Sequence, residues 1–157
     1  MTTRRQFVAL CAAAAATGAR PARAATGTRM RVLATPGCGC CHAWAALAAE
    51  RGHDVTVEDM VEPGREKTAL GIPADLASCH TVRAEGFLFE GHVPLDAVEA
   101  VLRDRPAIAG LAVPGMPMGS PGMGDDPAAR FDVWAFDAAG GRRVFFRAGT
   151  PAPFAEG

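Results

Sequence analysis

No apolar run in this 157-residue chain approaches the ~20 residues that a membrane-spanning helix needs, so no membrane span is expected. There is also no basic patch, RNA-binding motif or zinc-finger spacing. With a formal charge of only −1, this argues against nucleic acid as a partner. No internal repeat is visible, which argues against a repeat architecture. What is present is a hydrophobic fraction of 49%, enough for one modest core, in a length that fits one domain plus an export segment. The 18 glycines and 12 prolines exceed average usage and cluster late, which points to a long ordered loop rather than a second domain.

The first residues read as a targeting segment. Arg4-Arg5 is a twin arginine, an alanine-rich apolar stretch runs from Phe7 to Ala16, and Ala22-Arg23-Ala24 places small residues where a signal peptidase reads. The expectation is a twin-arginine signal peptide over residues 1–24, cleavage after Ala24, and a periplasmic domain over residues 25–157. The competing reading is an N-terminal core helix, which does not explain the order of charge, apolar stretch and small residues. Bulky Leu10 beside Cys11 argues against a lipoprotein site there. Cleavage would remove four arginines and no acid from a chain of charge −1, leaving −5 and four of the five cysteines. Outside the cytoplasm disulfides persist, so each remaining cysteine is a candidate for a disulfide or for a metal.

Alternation over Arg29–Ala34 predicts a strand, broken by Thr35-Pro36-Gly37, and an alanine-rich helix is expected from His42 to Glu50, ended by Gly52. A second strand is expected over His53–Glu58 and a short helix over Pro63–Leu70. Two short strands follow, Thr81–Arg83 and Phe87–Phe89. Pro94 opens a helix through Leu102, with Val98, Val101 and Leu102 on one face. From Ala109 to Gly124 periodicity stops, and the glycine-, proline- and methionine-rich stretch reads as a structured loop. Phe131–Phe136 and Arg143–Phe146 read as a hairpin turning at Gly140-Gly141. This order, with cysteines where the first strand meets the first helix, predicts an α/β fold: a single thioredoxin-like domain with a C-terminal Gly/Pro/Met loop and β-hairpin.

Cys38-Gly39-Cys40-Cys41 is the sharpest feature: a C-x-x-C pair with a third thiol inside, at a helix N-terminus that favours thiolate. Low-pKa thiolates serve both disulfide exchange and soft-metal binding. A dithiol oxidoreductase needs two thiols, and structural zinc sites use spaced pairs. Adjacent thiolates instead bridge several ions, and soft sulfur favours Cu(I). A stapling disulfide explains little of three cysteines so close. Cys79-His80, at the start of the third strand, falls on a loop expected to face the first helix N-terminus, so Cys79 is expected to meet the other three cysteines in space; a lone core cysteine is the competing reading. His42 and His92 are each candidates for ligation or for an ordinary hydrogen-bonded role. His53 is expected to be solvated and Trp44 to lie in the core. Met116, Met118 and Met123 offer thioethers, which ligate Cu(I) and hardly zinc. Methionine also fills cores, so ligation, copper relay and packing all stay open.

Thr35-Pro36-Gly37-Cys38-Gly39-Cys40-Cys41-His42-Ala43-Trp44 resembles the signature of the CopG-like copper-resistance proteins, long catalogued as a domain of unknown function. So do Ser78-Cys79-His80-Thr81, Glu90-Gly91-His92-Val93-Pro94 and the stretch from Gly110 to Met123, and together the match spans about Arg29 to Phe146. The resemblance implies a thioredoxin-like fold, a periplasmic location, and a multicopper site on Cys38, Cys40, Cys41 and Cys79. His80, His92, Met116, Met118 and Met123 sit in matching motifs. It also implies a role in cycling Cu(I) and Cu(II) during copper detoxification. Clustered thiols, nearby imidazoles and a methionine loop together predict more than one Cu(I) per chain, in sequestration or redox cycling, with other periplasmic copper-handling proteins as expected partners. Whether the protein is an enzyme stays open, a copper oxidoreductase being the enzymatic reading. The alternatives are a thiol–disulfide oxidoreductase and a copper-delivery module.

Overall fold

The structure, a computed structural model, describes residues 27–149. The signal segment, its cleavage point after Ala24 and Cys11 lie outside the described residues. Alternating side chains put Met30, Val32 and Ala34 of β1 (Arg29–Ala34) into the core. Helix α1 (Gly39–Glu50) buries Cys41, Trp44, Ala45 and Ala48, spaced three and four apart as one helical face requires. After β2 (Asp54–Asp59), Pro63 opens the short helix α2 (Pro63–Ala69), where its missing N–H costs nothing. A turn of 3-10 helix at Ala74–Leu76 leads into β3 (His80–Ala84) and β4 (Phe87–Gly91). Leu95, Val98 and Val101 line the buried face of α3 (Leu95–Asp104), which ends in left-handed Arg105 followed by Pro106.

Three further strands, β5 (Gly110–Val113), β6 (Phe131–Phe136) and β7 (Arg142–Ala148), complete one seven-stranded sheet in the order β2-β1-β3-β4-β5-β6-β7. β1 runs parallel to β2 and β4 parallel to β5, and the other neighbours are antiparallel. The core centres on Trp44, Phe89, Val82 and Leu111, all fully buried. No helix among the described residues is long and apolar enough to cross a membrane.

Two sequence expectations need correction. The stretch from Ala109 is not loop throughout, because β5 lies inside the sheet between β4 and β6. All four of its residues are buried, so the alternation that marks a half-exposed strand is absent. Gly110 is required there, since a Cβ would overlap the Leu88 carbonyl. Helix α1 also starts earlier than expected, at Gly39, which puts Cys40 and Cys41 inside the helix and makes Cys38 its N-cap.

Candidate metal centre

Chain reversal after β1 and the start of β3 bring two cysteine segments together. The Cys79 carbonyl accepts hydrogen bonds from the Thr35 backbone N–H at 3.1 Å and from its hydroxyl at 2.8 Å. The Cys38 N–H bonds back to the Thr35 carbonyl at 3.1 Å, so one threonine ties both segments. As N-cap, Cys38 Sγ accepts the Cys41 N–H at 3.3 Å.

Cys38 and Cys41 are joined by a disulfide, leaving Cys40 and Cys79 free. This corrects the sequence expectation that a stapling disulfide explains little. At a helix start, residues three apart share a face, and their 5.4 Å Cα separation suits a disulfide. The third thiol stays beside it, with Cys40 Sγ 3.4 Å from Cys38 Sγ and 4.0 Å from Cys79 Sγ. Cys41 Sγ lies 3.7 Å from the Cys79 carbonyl oxygen.

Cys79 also faces two imidazoles. His92 Nε2 lies 3.1 Å and His80 Nδ1 3.3 Å from its sulfur. His92 Nδ1 is 2.7 Å from the Pro121 carbonyl, which can only accept, so the ring proton sits on Nδ1 and Nε2 offers a lone pair to the sulfur. This arrangement, one ring nitrogen held by a carbonyl and the other free to donate electrons, is how metal-binding histidines are oriented. His80 stacks edge-on to His92 with centroids 5.0 Å apart. Its Nε2 is buried without a hydrogen-bond partner. Two donor sets therefore share one atom: Cys38, Cys40, Cys41 and Cys79 form one, Cys79, His80 and His92 the other, each with its ligand atoms within 4.8 Å of one another.

Burial governs protonation here. It pushes the Cys79 thiol up to about 11, with the Cys40 thiol beside it adding to the effect. It also pushes His80 down to about 3, helped by His92 and by the Lys67 ammonium. His92 is lowered by burial as well, against the opposing pull of the Pro121 carbonyl. A histidine held neutral by the fold binds fewer protons than it would in the unfolded chain. His80 therefore costs stability as pH falls from its ordinary value of 6.5 towards about 3, and contributes no pH dependence above that window. Urea unfolding of metal-free protein at pH 7 and pH 4.5 should show a smaller loss of stability in His80→Phe than in the unsubstituted chain. An equal loss would mean that His80 takes up its proton without unfolding the domain.

The loop between β5 and β6 closes over the centre through its backbone. Its Pro121 carbonyl holds His92, and Gly122, at φ +85°, sits so close to α1 that a Cβ would lie 2.8 Å from the Trp44 nitrogen. Met116 and Met118 point to solvent, being 53% and 58% exposed, and Met123 is half-buried. His42 is exposed on α1. Trp44 is fully buried and donates its indole N–H to the Val93 carbonyl at 2.9 Å. His53 is not solvated as expected: its side chain is 10% exposed and its Nε2 lies 3.6 Å from Glu99, away from the cysteines. Thr35 and the Pro121 carbonyl were missed as parts of the site. Their roles are made by contacts between distant segments, and no local spacing marks them.

A family model described as "Protein of unknown function, DUF411" matches residues 76–123, the stretch that carries Cys79, His80, His92 and the methionine loop. Among solved structures, the chain is similar to "Copper resistance protein copG- Form 1", with a TM-score of 0.73 and 33% identity over 79% of this chain and 99% of that one. It is similar also to "Copper resistance protein copG- Form 2", with a TM-score of 0.72 and 34% identity over 77% and 98% of the two chains. No curated protein sequence matches it.

Proposed function

Since the chain belongs to the CopG-like DUF411 family and is similar to two solved forms of a copper resistance protein, we propose that it captures copper on the cysteine–histidine centre as cargo. The observation that carries this reading is the shared position of Cys79, whose sulfur belongs to both donor sets. A thiolate flanked on two sides is the arrangement that bridges metal ions, and bridging thiolate suits Cu(I). The donors fit the ion. With the disulfide reduced the four sulfurs are soft thiolates, two imidazoles are held neutral, and His80 Nδ1 and His92 Nε2 both face the Cys79 sulfur, at 3.3 and 3.1 Å. More than one Cu(I) per chain follows from two donor sets on one bridge. Met116 and Met118, exposed on the covering loop, serve as thioether capture points, and Met123 extends that series.

The same reading places the mature domain in the periplasm, after twin-arginine export and cleavage behind Ala24. It places the protein in copper detoxification by sequestration or by Cu(I)/Cu(II) cycling, working with other periplasmic copper-handling proteins. The sequence of elements from β1 to α3 supports assigning the domain to the thioredoxin-like folds. One observation favours a second reading, a thiol–disulfide oxidoreductase: the Cys38–Cys41 disulfide at the N-terminus of α1.

The test is a Cu(I) titration of reduced, anaerobic protein against a chelator, with zinc as competitor and an insulin-reduction assay alongside. More than one Cu(I) bound per chain, zinc displaced and slow insulin reduction are expected. A single zinc that copper cannot displace would overturn the copper reading, and fast insulin reduction would favour the second. In Met116→Leu combined with Met118→Leu, capture and exchange of copper should slow while melting temperature holds, because both side chains lie on a surface loop.

A further inference from the structure

Behind the Cys79-His80 dipeptide lies a buried polar network that supplies no donor to the centre. It joins Lys67 of α2, Thr81 of β3, Glu90 of β4 and the backbone N–H of Ser78. Lys67 is 6% exposed, and Thr81 and Glu90 are fully buried. Glu90 Oε1 accepts from Lys67 Nζ at 2.5 Å and from the Ser78 N–H at 2.7 Å. Its other oxygen accepts a short hydrogen bond from the Thr81 hydroxyl. That hydroxyl in turn accepts from Lys67 Nζ at 3.0 Å. Thr81 and Glu90 are direct cross-strand partners, so the register of β3 on β4 puts the carboxylate where it is.

A buried lysine–glutamate pair is weak evidence of stabilisation, because removing two charges from water offsets much of their attraction. Well-packed apolar residues of similar volume often support a fold as well or better. An apolar side chain cannot, however, accept the Ser78 N–H. The consequence of the carboxylate is therefore local. It grips the residue before Cys79 on one oxygen and the residue after His80 on the other, while Thr35 holds the Cys79 carbonyl from the opposite side. Between these grips, Cys79 Sγ keeps 4.0 Å to Cys40 Sγ and 3.1 Å to His92 Nε2. Shared ligation tolerates displacements of only about 0.5 Å, so the segment that carries the sulfur has to be held at both ends.

We propose that Glu90 is a positioning residue of the centre: its carboxylate, neutralised by buried Lys67, grips Ser78 and Thr81 on either side of Cys79-His80 and so aims the Cys79 sulfur between the cysteine cluster and His92. The metal half of this proposal rests on the copper reading above, and the geometric half does not.

The experiment compares two neutral pairs that differ only in the acceptor: Lys67→Met with Glu90→Gln, and Lys67→Met with Glu90→Leu. The first readout needs no metal: in protein retaining the Cys38–Cys41 disulfide, the iodoacetamide alkylation rates of Cys79 and Cys40 are followed separately by peptide mass spectrometry. The second is Cu(I) affinity with the thiolate-to-copper absorption in the ultraviolet. In the leucine pair Cys79 alkylation should rise several-fold while Cys40 stays unchanged. Its Cu(I) affinity should drop by about 10- to 100-fold, the usual cost of losing an outer partner of a metal ligand. The glutamine pair keeps an oxygen for the Ser78 N–H and should behave as the unsubstituted protein. Equal rates and affinities in all three proteins would overturn the proposal. So would equal losses in both pairs, which would assign the effect to charge, and equal acceleration of Cys40, which would mean general loosening. Should the leucine pair not fold, Thr81→Val decides, since it deletes one grip and leaves the ion pair. Faster Cys79 alkylation in that variant supports the proposal, and an unchanged rate overturns it. If the unsubstituted protein binds no Cu(I), the copper reading fails, while the alkylation rates still judge the positioning role.

Discussion

Replacing Cys79 with serine should lower the Cu(I) bound per chain more than replacing any other single cysteine, and should do so without unfolding the domain. Its sulfur is the atom common to the two donor sets, so its loss removes a ligand from each and the bridge between them. Cys38, Cys40 and Cys41 belong to one set only. The side chain is half-buried, serine is nearly its size, and the Thr35 bonds run to the Cys79 carbonyl, which the substitution leaves in place. Stability should therefore hold within about 1–2 kcal/mol, in the ordinary range for one substitution. Metal analysis of anaerobically loaded protein, with urea unfolding of the metal-free form, checks both halves. Copper content equal to that of the unsubstituted chain would reduce Cys79 to a packed side chain.

The second large effect is expected from the disulfide. With Cys38 joined to Cys41, two of the four sulfurs of the first donor set are held in a bond rather than free as thiolates. Reduction by a phosphine should raise Cu(I) affinity by more than roughly 100-fold, since even outer partners of metal ligands are worth 10–100-fold. The comparison is a chelator competition on oxidised and reduced protein, with free thiols counted in each. Equal affinity in both states would remove Cys38 and Cys41 from the ligand set. The oxidised form also separates sequestration from redox cycling. Two Cu(I) ions can supply the two electrons that the disulfide accepts, which with two protons yields two thiols and two Cu(II). An electron paramagnetic resonance signal of Cu(II) growing in step with free thiol supports cycling. Its absence while Cu(I) is bound supports sequestration.

Thiol protonation gives both effects a direction in pH. Burial raises the Cys79 pKa to about 11, so binding a metal there must expel a proton, and affinity should fall as pH is lowered. The histidines offset part of this penalty, because burial keeps His80 and His92 in the neutral, electron-donating form.

Legibility in the sequence followed the range of the interactions involved. β1, the buried face of α3 and the β6–β7 hairpin are written in alternation, in residues three apart and in a Gly-Gly turn, each a pattern within a few residues. β5 was not legible, because a strand buried on both faces has no polar residue to alternate with. The disulfide is hidden for a related reason. Three thiols in four residues read as a cluster until the start of α1 puts positions 38 and 41 on one face and leaves Cys40 beside them. His53 was expected in solvent, yet its side chain is 10% exposed beside Glu99, on a helix 46 positions away in the chain, and nothing in its own neighbours signals that.

By itself the sequence determined which chemistry the chain offers: soft sulfurs at a helix start, a Cys-His pair, a further histidine, and a thioether-bearing loop. It determined this because residue type and short spacing decide what atoms are available and which of them share a turn. The tertiary structure alone decided which of those atoms meet. It set Cys79 between Cys40 and His92, gave His92 its tautomer through the Pro121 carbonyl, left Met116 and Met118 in solvent, and buried Lys67 against Glu90. The physical reason is that each of these contacts joins segments 12 or more residues apart in the chain. Their distances are set by sheet register and helix packing, which depend on the whole core rather than on any local run of residues.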